Sequence, residues 1–313
     1  MDSPSEWKRV TKDKPCPICG KSDWCTVSIG VAYCMRVESD KPAKGDAGGW
    51  IHNLGDDVKS VPSVIRHKKK RLTDEQLHAK WEPQARRMWR NAGGDMKRLA
   101  EQLGVSTASL NELRVGYGEL ACRWCWSFPE RNSSGLVVGI SRRLVEPVNG
   151  TGKLQVPGSR RGLSYAADGN EYGGPVYIVE GGSDTAAGLT LGLSVIGRPS
   201  NVGGMNYLVP MLRRIDKQRR IVVLGERDRK KHEDLAEVAR KRHKLNCTGC
   251  QLCWPGKFGA RQTAEKLRAR LKRRVEWWML PGGAKDLRGW LNAQEIDVED
   301  SEAAFELGGA TFK

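Results

Sequence analysis

The sequence predicts a mixed α/β protein, in which a β-rich module and a helical segment precede a parallel sheet flanked by helices. From Pro175 onward, short apolar strands alternate with helical segments, which is the pattern of a parallel sheet. Between Thr73 and about Arg114, apolar residues recur at helical spacing. Residues 14–53 instead carry closely spaced cysteines and short strands.

Residues 14–53 are predicted to form a zinc ribbon. Cys16 and Cys19 flank a tight turn, and at this spacing both thiolates can reach one metal ion. A hairpin turn near residues 28–30 would place two further cysteines opposite each other. Without a metal, a module of this size has almost no apolar core around which to fold. The predicted zinc ligands are Cys16, Cys19, Cys25 and Cys34, with His52 as the alternative to Cys25.

Residues 54–72 form a basic linker, and residues 73–172 continue with helices and then strands. Thr73 and Gln76 have the spacing of a helix capping box. Residues 99–110 resemble a helix-turn-helix, but helix pairs joined by a glycine turn are common in proteins that do not bind DNA, so a scaffold role is favoured. Strands are predicted at residues 124–128, 135–140 and 153–156.

The parallel sheet is predicted for residues 173–292. Its strands are expected at 176–179, 194–196, 221–224 and 275–280, and its helices near 184–191, 206–215, 260–272 and 285–292. The charged segment at about 230–257 is predicted to be an insertion at the edge of the sheet. Residues 293–313 form a C-terminal tail.

The remaining cysteines give a weaker metal signal. Cys122 and Cys125 lie in a segment rich in tryptophan and are predicted to be core or turn residues. Cys247, Cys250 and Cys253 have ligand spacing but supply only three sulfurs, so a second zinc would need His243 or the 122/125 pair to complete it. A second zinc site stays open at this point.

The charge of the chain favours a polyanionic partner. Lys and Arg number 53 against 37 Asp and Glu, a formal net charge of +16 in 313 residues. Such a field attracts nucleic acid and makes binding sensitive to salt. No apolar run approaches the about 20 residues needed to cross a bilayer, and the N-terminus lacks the apolar core of a signal peptide. We therefore expect a cytoplasmic, nucleoid-associated protein with no membrane partner.

Acidic residues follow two of the predicted parallel strands. Glu180 and Asp184 come after the first strand, and Glu226 and Asp228 follow a second strand about forty residues later. Ligands of open α/β sheets bind beyond the carboxyl ends of the strands. Carboxylate oxygens there are suited to Mg²⁺ or Mn²⁺. Each acid alone is equally compatible with helix capping, but capping does not require two apolar strands to deliver acids.

These motifs carry a family resemblance. Val179-Glu180-Gly-Gly-Ser-Asp184 followed by Gly225-Glu226-Arg-Asp228 resembles the TOPRIM domain of DnaG-type primases, topoisomerases and some nucleases. The segments 135–143, 153–158 and 162–165 resemble the basic part of the bacterial primase core, and Leu280-Pro-Gly-Gly-Ala-Lys285-Asp286 resembles the primase motif that ends the TOPRIM fold. The cysteine module is similar to the primase zinc-binding domain, especially its compact phage form.

The resemblance implies template-directed synthesis of short RNA primers on single-stranded DNA from nucleoside triphosphates. It implies catalytic roles for Glu180, Asp184, Glu226 and Asp228, and Mg²⁺ or Mn²⁺ ligation by Glu180, Glu226, Asp228 and Asp286. Glu180 is alternatively the acceptor of the 3′-hydroxyl proton. The residues expected to contact nucleic acid or nucleotide phosphates are Arg142, Arg143, Lys153, Arg160, Arg161 and Lys285.

The sequence also departs from the primase pattern. Glu226 stands where the family has an aspartate, and Val37 stands where a further cysteine would fall. No helicase domain is recognisable after residue 292, so we expect a compact, mobile-element-like primase whose helicase, if any, is a separate chain. Two alternatives remain: a TOPRIM nuclease, and a non-catalytic protein that binds single-stranded DNA during replication.

Overall fold

The computed structural model describes residues 7–43, 49–54, 71–148, 150–169, 173–230, 247 and 250–294. The chain divides into two compact units, Met1–Lys70 and Arg71–Lys313. The linker at 55–70, most of the insertion and the C-terminal tail from residue 295 lie outside the described residues.

The first unit is built on a four-stranded antiparallel sheet in the order β1-β2-β3-β4. One small cluster buries Val10 together with three of the cysteines. The cysteines therefore take the place of an apolar core, as predicted. The strands are β1 (Lys8–Arg9), β2 (Thr26–Ser28), β3 (Val31–Cys34) and β4 (Trp50–Asn53).

The second unit begins with helices α1 (Asp74–Asn91), α2 (Met96–Leu103) and α3 (Thr107–Glu112). The predicted capping box is present, because the Thr73 side chain accepts a hydrogen bond from the Gln76 amide and the Gln76 side chain accepts one from the Thr73 amide. Gly104 ends α2 in the left-handed conformation at φ 63°. The apolar faces of α2 and α3 are buried in the core, which fits the scaffold role favoured from the sequence.

An antiparallel sheet follows, in the order β5-β6-β7-β8. Strand β5 was not predicted, because its Gly-Tyr-Gly-Glu sequence shows no apolar alternation. Strand β7 continues well beyond the predicted end at residue 140, because Arg142 and Arg143 pair with β8 in spite of their charge. The strands are β5 (Gly116–Glu119), β6 (Trp124–Arg131), β7 (Val137–Val148) and β8 (Thr151–Gln155).

The last part alternates strands and helices around a four-stranded parallel sheet in the order β10-β9-β11-β12. This confirms the predicted mixed α/β class. Its elements are β9 (Val176–Glu180), α4 (Gly181–Thr190), β10 (Ser194–Arg198), α5 (Met205–Leu212), β11 (Ile221–Gly225), α6 (Pro255–Leu271), β12 (Glu276–Met279) and α7 (Leu287–Asn292).

Both faces of the parallel sheet are buried. Tyr177 and Val179 of β9 pack into one apolar cluster, and Val176 and Ile178 pack into the other. Because Val223 of β11 lies opposite Ile178, the two strands end at the same edge of the sheet. Among the described residues, no helix has the length and apolar character to cross a bilayer.

Candidate functional site

The structure brings Cys16, Cys19, Cys25 and Cys34 together into an N-terminal cysteine cluster. Their Sγ atoms all lie within 4.8 Å of one another, with 3.7 Å between Cys19 and Cys25 and 4.0 Å between Cys25 and Cys34. Cys25 and Cys34 flank the hairpin of β2 and β3 as predicted. His52 lies apart from this cluster, and its Nε2 atom is 3.1 Å from the carbonyl oxygen of Val37.

The surroundings of the N-terminal cysteine cluster suit a metal thiolate site. The amide of Met35 donates to Cys25 at 3.5 Å, and the amide of Val37 donates to Cys34 at 3.4 Å. Such donors stabilise metal-bound sulfur. Val37, which replaces the expected cysteine, therefore contributes its backbone rather than its side chain. Four thiolates in a closed group are the donor set of a structural zinc site.

Cys247, Cys250 and Cys253 also come together, within 4.8 Å of one another, and are called the second cysteine cluster below. Cys122 and Cys125 do not join it. Cys125 is buried in β6 and Cys122 is exposed before that strand. His243, the other predicted partner, lies outside the described residues.

The predicted acidic residues meet at the carboxyl end of the parallel sheet. Glu180 is the last residue of β9 and Glu226 directly follows β11. They open into a cleft of about 330 Å³, called the carboxylate cleft below, between this sheet and the antiparallel sheet. Four of the predicted acids line it: Glu180, Asp184, Glu226 and Asp286.

Two of these acids also bond to helix N-termini. Asp286 precedes α7 and accepts a hydrogen bond from the Gly289 amide at 2.7 Å. Asp184, buried in the first turn of α4, accepts from the Leu287 amide at 3.4 Å. These bonds hold the two carboxylates side by side, so capping and a place in the cleft coexist.

Asp228 does not line the carboxylate cleft. Its Oδ1 atom accepts a hydrogen bond from the Gly256 amide at 2.8 Å, in the first turn of α6. Its charge nevertheless acts on the cleft, because it raises the pKa of both Glu180 and Glu226. In the structure Asp228 therefore ties the loop after β11 to helix α6.

Crowding of carboxylates perturbs their ionisation. Burial and the neighbouring charges of Glu180, Asp286 and Asp228 raise the pKa of Glu226 to about 7. Burial, with Asp286 and Glu226, raises the pKa of Asp184 well above its ordinary value. Such mutual repulsion is relieved by a bound cation, so the residues fit a divalent metal.

The acids are nevertheless spaced more widely than the cysteines. Within the described part of the chain, only the two cysteine clusters bring three or more ligand atoms within 4.8 Å of one another. Magnesium is commonly held by one or two carboxylates together with waters and substrate phosphates. The spacing in the carboxylate cleft is compatible with that kind of site.

Basic residues form the opposite wall of the cleft. Arg143 of β7 and Lys153 of β8 are cross-strand neighbours, and both line the cleft. Burial lowers the pKa of both residues. The neighbouring charge of Arg288 lowers the pKa of Arg143 further, and the charge of Arg143 does the same for Lys153. Two cations close to acids, Arg143 partly buried and Lys153 with its side chain still exposed to solvent, can bind a phosphate group. Arg142 also lines the cleft, but its guanidinium donates to the carbonyl of Leu120 at 2.6 Å.

Of the other predicted phosphate-binding residues, two line the cleft and one does not. Arg161 and Lys285 line the cleft, and Lys285 lowers the pKa of Glu226. Arg160 is not brought to the cleft. Its guanidinium pairs with Asp74 and contacts the Tyr207 hydroxyl at 3.2 Å, which ties the start of α1 to α5. Its predicted nucleic-acid contact stays a prediction.

Two residues of the site were missed from the sequence. Glu130 is buried in the cleft, 3.1 Å from Arg161, and burial raises its pKa to about 7. Arg198 ends β10 with 1% exposure, and its charge lowers the pKa of Glu180. Glu130 is the second-last residue of β6, in the antiparallel sheet, so its place in the cleft depends on how the two sheets pack. Arg198 is the last residue of the parallel strand β10, and that position is the signal that could have found it.

No protein-family model matches the chain, and neither does any curated protein. The fold is similar to solved primase structures. One is a DnaG catalytic core, at a TM-score of 0.49 and 16% identity, covering 75% of this chain and 79% of that one. The E. coli primase catalytic core matches at a TM-score of 0.49 and 15% identity, and the match covers 74% of this chain and 79% of that one. The zinc-binding and RNA polymerase domains of the Aquifex aeolicus primase match at a TM-score of 0.49 and 11% identity, and the match covers 75% of this chain and 62% of that one. All three identities are below 25%, so the similarity concerns the fold alone.

Proposed function

We propose that this protein is a DNA primase that joins ribonucleotides into short RNA primers on a single-stranded DNA template. The single observation that carries the proposal is the carboxylate cleft, where Glu180 and Glu226 face Arg143 and Lys153. A cleft lined by both acids and cations can hold both the metal and the phosphate of a nucleotide. The acids come from the TOPRIM-like motifs, and the cations come from the segments that resemble the basic part of the primase core. The order of these motifs along the chain agrees with this chemistry.

Each acid has a distinct part in the proposed reaction. Mg²⁺ or Mn²⁺, when bound, would neutralise charge on the triphosphate during transfer. Glu226 and Glu180 would hold it, supported by Asp286 and by Asp228 from its bond to α6. Burial raises the pKa of Glu180, which also suits that carboxylate to accept the proton of the attacking 3′-hydroxyl. Asp184 would keep its neighbours in place through the Leu287 amide.

The basic wall would bind the anionic substrates. Arg143 and Lys153 would contact template or primer phosphates, and Lys285 would contact the triphosphate beside Glu226. Arg142 and Arg161 each donate to backbone carbonyls, of Leu120 and Pro199, so they would shape the wall and contribute charge. Glu130 would hold Arg161 in position.

The N-terminal cysteine cluster would hold a structural zinc, and its module would help select the start site on the template. A separate replicative helicase is the proposed source of single-stranded template, and a cytoplasmic, nucleoid-associated location follows from the proposed substrate. The compact mobile-element form is the proposed context.

A nucleotide-incorporation assay tests the function. The full chain, single-stranded DNA, Mg²⁺ and labelled ribonucleotides should give short products that lengthen with time, and Glu226→Gln should abolish them. Glu146→Gln makes the same charge change on an exposed part of β7 and should leave them unchanged. Shortening of labelled DNA instead would identify a nuclease. DNA binding that is independent of Mg²⁺, with no product, would identify a non-catalytic binding protein.

A further inference from the structure

The second cysteine cluster forms where the chain returns to the sheet. Cys250 and Cys253 lie 3.5 Å apart at Sγ, and both are within 4.8 Å of the Cys247 sulfur. Residues 251–253 form a turn rather than a helix or strand. Three thiols that lie within 4.8 Å of one another, at positions separated by two residues in the sequence, have the geometry of metal ligands.

Two ordinary explanations of this grouping fail. A disulfide between Cys250 and Cys253 requires sulfurs about 2.05 Å apart, well below the observed distance. Apolar packing explains only Cys253, which is 3% exposed, because Cys247 and Cys250 are both partly exposed. In the reducing interior implied by the proposed function, thiols at this spacing are more often metal ligands than disulfides.

Two hydrogen bonds from backbone amides connect the second cysteine cluster and the start of α6 to the acidic loop after β11. The Lys230 amide donates to the Cys253 carbonyl at 2.8 Å, just after the acidic loop that follows β11. Three residues after Cys253, the Gly256 amide donates to Asp228. A Cβ atom at Gly256 would lie 2.5 Å from the Glu226 carbonyl oxygen, so this packing is close. The turn therefore fixes the start of α6 against the loop that carries Glu226 and Asp228.

We propose that Cys247, Cys250 and Cys253 bind a second zinc ion, which holds the start of α6 in register with the acidic loop. The ion replaces the regular secondary structure that this turn lacks. The three cysteines act as positioning residues toward the carboxylate cleft, since they touch neither the acids nor the substrate.

Metal analysis of the full chain tests the site. Wild-type protein should contain two zinc ions per chain, and the double variant Cys250→Ser/Cys253→Ser should contain one. Cys16→Ser/Cys19→Ser should also contain one, and the control Cys122→Ser should keep two. One zinc in the wild type, or two in Cys250→Ser/Cys253→Ser, would overturn the proposal.

X-ray absorption at the zinc edge tests the site even if the double variant Cys250→Ser/Cys253→Ser does not fold. In Cys16→Ser/Cys19→Ser, the remaining zinc should show about three sulfur neighbours at about 2.3 Å. A shell of oxygen and nitrogen alone would overturn the assignment. This measurement does not depend on the stability of variants in the second cysteine cluster.

The positioning role rests on the proposed function and has its own readout. In Cys250→Ser/Cys253→Ser, hydrogen exchange of the Lys230 and Gly256 amides should accelerate at least tenfold, and Mg²⁺ affinity should fall several-fold. Unchanged exchange and affinity in a variant that has lost one zinc would refute positioning. Absence of primer synthesis in the wild type would refute the proposed function without altering the zinc count.

Discussion

Replacing Glu226 by Gln should stabilise the second unit while destroying its metal site. The pKa of Glu226 is raised from its ordinary value of 4.5 to about 7 in the folded protein. The folded state then binds the proton more tightly than the unfolded state, so the contribution of Glu226 to stability is greatest below about pH 4.5 and falls as the pH rises toward 7. At about 1.4 kcal/mol per pKa unit, an ionised Glu226 costs on the order of 3 kcal/mol above pH 7.

Urea unfolding followed by tryptophan fluorescence measures this cost. The protein should be kept free of Mg²⁺ by dialysis without chelator, because a chelator would also remove zinc. Wild type should lose stability between pH 5 and pH 8 and regain it when Mg²⁺ is added at pH 8. Glu226→Gln should be more stable than wild type at pH 8, vary less with pH and respond little to Mg²⁺.

The exposed Glu146 provides the matched control. Glu146→Gln should follow the wild-type curve with and without Mg²⁺. The reasoning fails if Glu226→Gln is no more stable than wild type at pH 8, or if Mg²⁺ stabilises both proteins equally. The first result would mean that burial and the neighbouring carboxylates do not disfavour an ionised Glu226, and the second would mean that Glu226 is not part of the Mg²⁺ site.

Three further outcomes are expected. Cys16→Ser should lose one zinc and unfold residues 7–54, seen as fast amide exchange there while the second unit stays protected; retained protection would argue against a structural metal. Lys153→Gln should weaken single-stranded DNA binding and reduce the slope of log affinity against log salt concentration by about 0.7. Lys97→Gln, on the exposed face of α2, should change neither. Equal slopes in the two variants would show that Lys153 does not contact DNA. Gly256→Ala should destabilise the second unit by about 1–3 kcal/mol in urea unfolding, because the added Cβ would lie 2.5 Å from a carbonyl oxygen; no loss would show that the loop can shift freely.

The acids of the cleft were predictable because strand pattern fixes their place. Glu180 and Glu226 each follow an apolar strand, and parallel strands end at one edge of the sheet, so their approach needed no knowledge of tertiary structure. The cysteine hairpin was predictable for a similar reason, since the turn near Gly30 sets the register of β2 and β3. In both cases the pattern of strands and turns in the sequence was enough to predict which side chains come together.

Other roles depend on contacts between distant parts of the chain. Arg160 follows the basic motif in sequence, yet Asp74, 86 residues away, takes its guanidinium in an ion pair. Glu130 enters the cleft only because β6 pairs with β7 beside the parallel sheet. Asp228 has the position of a metal ligand in the sequence, but in the structure its carboxylate accepts a hydrogen bond from the Gly256 amide at the start of α6.

Manganese binding tests the central claim most directly, that Glu180 and Glu226 together hold a divalent metal in the cleft. The zinc-loaded full chain is titrated with Mn²⁺, and the free ion is followed by electron paramagnetic resonance. Wild type and Glu146→Gln should remove Mn²⁺ from solution equally, and Glu180→Gln/Glu226→Gln should leave it free. Equal uptake by the double variant would contradict the account.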